Sequence, residues 1–172
     1  HRYKTYIGTT LSSNLTRSNA NAGGQPHWVN LVPNPTSDEM FLGSEDAGAD
    51  LNTFLWNGSA FGAAQTEHTA GAENVLDRNF DIVYETHSSN PDDAILAYGN
   101  GTTVTRKLWS SGAWGSVTTI GDDTAQVYLV AQPNSGDILS IMYEDSTSVT
   151  DDLTESNQVG GSQSWSSPAQ LW

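Results

Sequence analysis

The stretch Val104–Thr119, VTRKLWSSGAWGSVTT, reads as a strand, a tight turn and a return strand. Val104, Arg106 and Leu108 alternate with Thr105, Lys107 and Trp109, which is the period of a strand with two different faces. Ser110-Ser111-Gly112 is turn chemistry, with a glycine free to take positive φ. The unit recurs upstream at Leu51–Thr66, where Trp56 and Phe61 repeat the gap between Trp109 and Trp114. Weaker copies place Tyr6 and Leu11 at that gap and Trp165 in the second aromatic place. Leu11, Phe61, Trp114 and Trp165 stand 50, 53 and 51 residues apart. A fixed period of this size restricts the chain to an array of small repeated units.

Short strand patterns fill each period. In the first full repeat, Trp28–Val32 and Glu39–Gly43 read as strands, and Ser44–Asp50 as an acidic turn before the Trp56 hairpin. In the second, FDIVYE (Phe80–Glu85) and AILAY (Ala94–Tyr98) precede the Trp109 hairpin. In the third, Val127–Ala131 and Ile138–Tyr143 come first. A degraded strand without an aromatic then ends near Gln158, and Ser164–Trp172 forms the fourth. No stretch sustains a helical period. The expected fold is all-β: tandem four-stranded antiparallel repeats, propeller-like or an open β-sheet array, in one domain. The boundaries are a leading half repeat and loop over 1–26, then repeats over 27–77, 78–124 and 125–172.

The W-N-G-S-x-F hairpin is Trp56–Phe61, the R-x-F-D-I-V-Y-E strand is Arg78–Glu85, and the W-V-x-L-x-x-x-P-x-x-D-E pair is Trp28–Glu39. Together they resemble the tandem Trp-rich repeats of large bacterial surface or secreted proteins, mostly of unassigned function. More distantly, the Trp-turn-Trp hairpin is similar to blades of propeller lectins and sialidase-like propellers. The resemblance implies an extracellular or cell-surface location and a structural or glycan-binding role.

Charge narrows the partners. The chain has 172 residues, 15% of them charged, a net charge of −14 and no cysteine. Nucleic acid needs clustered Lys and Arg, so it is not an expected partner. No apolar run reaches the ~20 residues that span a bilayer as a helix. The first residue, His1, is neither an initiator Met nor the start of a signal peptide, which reads as a processed chain or a piece of a longer one. Residues 1–37 carry Arg2, Lys4 and Arg17 and no acid, whereas residues 108–172 carry eight acids and no Lys or Arg. That polarity, with an incomplete first repeat, suggests a homopolymer joined head to tail by strand addition. The expected contact residues are Arg2, Tyr3, Lys4, Tyr6, Arg17, Trp28, Trp165 and Trp172.

Other chemistry was weighed against the same residues. Asp81 and Glu85 on one strand stand roughly 13 Å apart, too far for a glycosidase pair. Asp92-Asp93, Asp122-Asp123 and Asp151-Asp152 read as solvated turn acids, and His1, His27, His68 and His87 show no metal-ligand spacing. The chain therefore reads as a non-enzyme without a required cofactor. Calcium is the one candidate ion, through Asp46, Gly48 and Asp50 or through Asp145, Asp151 and Asp152. In the alternative glycan-binding reading, Trp56 and Trp109 stack on sugar rings, with Arg106 and Glu85 as hydroxyl partners. Asn14, Asn57 and Asn100 begin Asn-X-Ser/Thr patterns and are candidates for covalent glycans.

Overall fold

The computed structural model describes residues 2–16, 24–69, 78–122, 126–144 and 152–171. It is all-β, an open array of small antiparallel sheets. A leading hairpin holds β1 (Arg2–Tyr3), β2 (Tyr6–Ile7), β3 (Thr10–Leu11) and β4 (Leu15–Thr16), with β1 paired to β4 and β2 to β3. Sheet 1 holds β5 (Pro26–Pro33), β6 (Glu39–Asp46), β7 (Leu51–Asn57) and β8 (Gln65–His68) in that order.

Sheet 2 holds β9 (Phe80–Tyr84), β10 (Ala94–Gly99) and β11 (Thr103–Ser110), whose outer edge pairs with both β12 (Ala113–Trp114) and β13 (Thr118–Asp122). Sheet 3 holds β14 (Gln126–Ala131), β15 (Ile138–Glu144), β16 (Asp152–Gln158) and β17 (Ala169–Gln170). The central hairpin turns on Ser111 (φ 54°) and Gly112 (φ 84°), two consecutive positive φ values that suit the twist of a two-residue hairpin loop.

The sheets stack in a row. β9 lies between β5 and β14, so the first strand of each sheet runs along a common inner side. Each strand's alternation assigns one face to the sheet before and one to the sheet after. On β9 and β10, Phe80, Ile82, Tyr84, Leu96 and Tyr98 face sheet 1 in one core. Val83, Ile95 and Ala97 face sheet 3 in a second core with Val127, Leu129, Ile138 and Met142. Both seams are tight. A Cβ on Gly43 of β6 would lie 2.6 Å from the Phe80 ring, and one on Gly121 of β13 would lie 2.7 Å from the Met142 sulfur.

Three local expectations are corrected. Ser44, Glu45 and Asp46 are not a turn; they continue β6 and are fully buried. The reach of β6 is set by β7, which pairs with it from Glu39↔Asn57 to Glu45↔Leu51. The degraded strand is a complete one: β16 pairs with β15 along all seven residues. Its inward side chains Thr154, Ser156 and Gln158 are polar and still buried, because β15 supplies Ile138 and Met142 beside them. Conversely, among the described residues of Ser164–Trp172, strand structure is limited to the two residues of β17 and an isolated bridge from Gln158 to Trp165, with Ser166 and Leu171 donating to the Asn157 and Leu153 carbonyls of β16.

Asp81 joins all three sheets. It sits on β9 with 6% of its surface exposed. Its Oδ1 accepts from the Asn30 amide of sheet 1, from Arg78 Nη2 at 2.6 Å and from its neighbour's N–H, Ile82, at 2.9 Å. Its Oδ2 accepts the Leu129 N–H of sheet 3 at 2.9 Å. Burial raises its pKa, against the Leu129 hydrogen bond, the Arg78 charge and the Ile82 hydrogen bond, all of which lower it. Removing the carboxylate leaves several buried donors unpaired at once. Asp81→Ala is expected to destabilise the fold by about 3–5 kcal/mol. Urea unfolding of the two proteins at neutral pH measures it, and a loss below about 1 kcal/mol would show that the sheets hold together without this residue.

Candidate functional site: the two end faces of the array

Sheet 1 and sheet 3 each have one face on a seam and one at an end of the row. The outward face of sheet 3 carries Tyr128, Val130, Leu139 and Ile141, paired as Tyr128↔Ile141 and Val130↔Leu139. Val130 is 61% exposed and Tyr128 42%. The Arg78 guanidinium lies over the Tyr128 ring at 5.4 Å. These four positions correspond in strand and register to those from which sheet 2 covers sheet 3, Val83, Ile95 and Ala97 among them.

The outward face of sheet 1 carries Val29, Leu31, Met40 and Leu42, with Val29 60% and Leu31 57% exposed. These occupy the places that Phe80, Ile82, Ala94 and Leu96 hold on sheet 2, where sheet 1 covers them. Among the described residues, the leading hairpin covers the outer half of this face. Tyr3 packs edge-on against Phe61 at 5.0 Å and Trp56 at 6.1 Å. Beside it runs a groove of about 810 Å³ lined by Tyr6, Ile7, Leu31, Pro33, Met40 and Trp56, among others.

The expected contact residues divide accordingly. Arg2, Lys4 and Tyr6 are exposed on the leading hairpin, and Tyr3 is half-buried in its contact with sheet 1. Trp28 faces the seam between sheets 1 and 2, not an end, because it alternates with Val29 on β5. Trp165 packs on the core between sheets 2 and 3, with the Arg106 guanidinium 5.6 Å from its ring centre. Arg17 and Trp172 lie outside the described residues, as do Asp145 and Asp151.

The sugar-stacking candidates also separate. Trp109 is 5% exposed, edge-on to Phe41 at 5.0 Å and to Trp114 at 5.5 Å, so it is a core residue and not a platform. Trp56 is half-buried beside the groove and packs on Phe61 at 5.3 Å. Glu85 is fully buried and accepts the Gly161 N–H at 2.7 Å, which removes it as a sugar partner. Arg106 is half-buried, its pKa lowered by burial, and it donates to the Gln163 carbonyl at 3.3 Å.

Of the acids expected in solvated turns, Asp92 is exposed and Asp93 half-buried, and both also tie sheets together. Asp92 accepts from the Asn34 amide and the Thr36 hydroxyl at 3.0 Å, joining sheet 2 to sheet 1. Asp93 accepts from the Gln163 amide at 2.7 Å, joining sheet 2 to sheet 3. Asp46 accepts the Gly48 N–H at 2.9 Å and the Asp50 N–H at 3.3 Å, closing its own turn. Among the described residues, no three His, Cys, Asp or Glu side chains are grouped to hold a metal ion, so the calcium candidates Asp46 and Asp50 lack a third such ligand.

Asn57 and Asn100 each cap a turn. Asn57 Oδ1 accepts from Ser59 and Ala60, and Asn100 Oδ1 from Thr102 and Thr103. The Asn-Gly-Ser/Thr pattern thus has a local use of its own, an Asx turn with the following hydroxyl. Asn14 and Asn57 are exposed and Asn100 is half-buried.

What sequence reasoning missed is the seam chemistry. A buried chain of contacts runs from Trp114 Nε1 to Thr53 Oγ1 (3.0 Å), on to Glu67 Oε1 (2.6 Å), and from Glu67 Oε2 to Lys107 Nζ (2.9 Å). It links β7 and β8 to β11 and β12. A buried Glu opposite a Lys forty residues away leaves no local spacing to read. No protein-family model matches the chain, and no curated protein matches it.

Two outcomes follow from these ties. Lys107→Met strands the Glu67 carboxylate in the seam and is expected to destabilise by about 3–5 kcal/mol, read by urea unfolding. Lys107→Arg should recover most of that loss. Asp137 accepts the Gly160 N–H at 2.7 Å, and that bond holds its carboxyl below the ordinary value of 3.8. A carboxyl lowered by folding stabilises above its unfolded pKa and loses that contribution as pH falls through the lowered value. The protection factor of the Gly160 amide, its exchange rate taken relative to the intrinsic rate at each pH, should therefore be high at neutral pH and fall on acidification below 3.8; Asp137→Asn should keep it low at every pH.

Proposed function

We propose that the protein is a structural repeat module of an extracellular or cell-surface assembly, and that copies of it join end to end. The observation that carries this reading is the match between the end faces and the buried seams. Sheet 3 presents outward the kind of face that sheet 2 buries against sheet 3, and sheet 1 presents outward the kind of face that sheet 2 buries against sheet 1. A contact between the tail of one copy and the head of the next repeats a seam the chain already makes twice. Such a contact is heterologous and, when its rotation does not close, extends into a filament. The charge polarity supports it, with Arg2, Lys4 and Arg17 at the head and eight acids in residues 108–172. Exposed Asn14 and Asn57, each in a glycan-acceptor pattern, support the extracellular setting. So does the resemblance to Trp-rich repeats of bacterial surface proteins.

Light scattering over a range of concentration and salt, with electron microscopy of the same samples, tests the proposal. The scattering mass of the native chain should rise with concentration, and long uniform particles should form. Val130→Asp, which places a carboxylate on the exposed face of sheet 3, should hold the protein at single-chain mass with an unchanged circular dichroism spectrum. A native chain that stays at single-chain mass at every concentration and salt would sink end-to-end joining. If Trp fluorescence of that single chain then responded to sugars, a glycan-binding role through Trp56 would take its place.

A further inference from the structure

The two seams share one template, but their outer halves differ in charge. In the first seam, Thr53 of β7 stands opposite Gly43, and Glu67 lies two residues beyond its β8 partner, Gln65. In the second, Arg106 of β11 stands opposite Ala97, and Ile120 lies two residues beyond its β13 partner, Thr118. Arg106 therefore holds the place of Thr53, and Ile120 the place of Glu67. Trp165, bridged to Gln158, holds the place of Trp114, which pairs with Trp109. In the first seam, Trp114 donates to Thr53, and both Thr53 and Lys107 donate to Glu67. The second seam keeps the indole and carries a guanidinium where the first has a hydroxyl. It has an isoleucine where the first has its carboxylate.

Arg106 is thus left without an acid in a chain with 20 Asp and Glu against six Lys and Arg. Among the described residues, Arg78, Arg106 and Lys107 are the half-buried Lys and Arg side chains. Arg78 meets Asp81 at 2.6 Å, and Lys107 meets Glu67 at 2.9 Å. Arg106 meets the Gln163 carbonyl, through Nη2 at 3.3 Å, and the face of Trp165, and among the described residues it faces no carboxylate. Burial lowers its pKa, and no acid offsets that shift. Arg106 Nε and Trp165 Nε1 are both buried without an acceptor among the described residues. A cation held this way is stabilised by any anion that reaches it.

A cleft of about 550 Å³ opens beside Arg106, between β13 and residues 163–168. Its size suits one small molecule. Thr118, Ser164 and Ser167 bring hydroxyls to its lining.

We propose that this cleft binds a carboxylate carried on a small hydroxylated molecule, an acidic sugar of the uronic acid class. The carboxylate takes the guanidinium N–H groups that face the cleft and fills the role of Glu67 in the first seam. The ligand's hydroxyls pair with Thr118, Ser164 and Ser167. The site lies between two sheets of one chain, so it does not rest on how copies join.

The probe is sodium glucuronate, added to the whole chain while the indole N–H signals of its six Trp residues are followed by NMR. The Trp165 signal, assigned by its loss in Trp165→Phe, should shift and saturate. Glucose, which lacks the carboxylate, and sodium acetate, which lacks the hydroxyls, should each bind at least about tenfold more weakly. Arg106→Gln should abolish the glucuronate shift.

Arg106 also packs on Trp165, so a second variant leaves that contact in place. Thr118 is exposed and stands directly across from Arg106, so Thr118→Glu gives the guanidinium a carboxylate of its own. It should weaken glucuronate binding at least about tenfold, with an unchanged circular dichroism spectrum and no loss of melting temperature. No saturable shift with glucuronate, a shift confined to other indoles, or equal binding of glucose or acetate would overturn the proposal. So would undiminished binding by a folded Arg106→Gln or by Thr118→Glu.

Discussion

The stack depends on Asp81. One carboxylate on the innermost strand of the middle sheet takes an amide from the sheet before it and a backbone N–H from the sheet after it. A charged group this deep is stable only if its lone pairs are filled, and here two side chains and two backbone donors fill them. Because the donors come from three sheets, the cost of leaving any of them unpaired is shared across both seams. Apolar packing alone is non-directional and would tolerate sliding of one sheet on another. Asp81 supplies the registration that the packing lacks, and Gly43 and Gly121 let the sheets come close enough for it to reach.

Around that point the seams repeat one design with different side chains. In the first, Phe41 gathers Tyr84, Trp109 and Trp114, and the Thr53–Glu67–Lys107 chain runs along the outer half. In the second, aliphatic residues and Met142 form the buried core, with Trp165 packed against it. The polar ties there come from the 159–163 loop, which gives its Gly161 N–H to Glu85 and its Gln163 amide to Asp93. The outward faces of sheets 1 and 3 carry the same apolar pattern as the faces buried in the seams. Val130 and Leu31 are apolar because the repeated pattern places apolar residues there, covered or not.

Much of the array was legible from alternation and turn chemistry. The Ser111-Gly112 turn, the strands AILAY and ILSIMY and the period of the aromatic pairs all report local rules that hold wherever the chain goes. The errors have a common cause. Ser44-Glu45-Asp46 reads as a turn, and DLTESNQ as a failing strand, because their side chains are polar. Both are strands, since a neighbouring strand with a strong pattern imposes its length on them and a seam supplies their hydrogen bonds. Asp92 reads as a solvated turn acid and is exposed, and Asp93 is half-buried; that each also ties two sheets depends on contacts some sixty to seventy positions away.

By itself the sequence determined the class of fold, the repeat length, turns such as Ser111-Gly112 and the polarity of charge between head and tail. Those are consequences of side-chain period, backbone preference and composition, all of them local or additive along the chain. Only the tertiary structure decided which of the two faces of each strand is covered, that Trp109 is a core residue while Trp56 borders a groove, and that Asp81 binds both neighbours. It also decided that Tyr3 of the leading hairpin packs on Trp56 and Phe61 of sheet 1. These depend on which sheet lies against which, through contacts between residues some fifty positions apart, and no spacing along the chain encodes that directly.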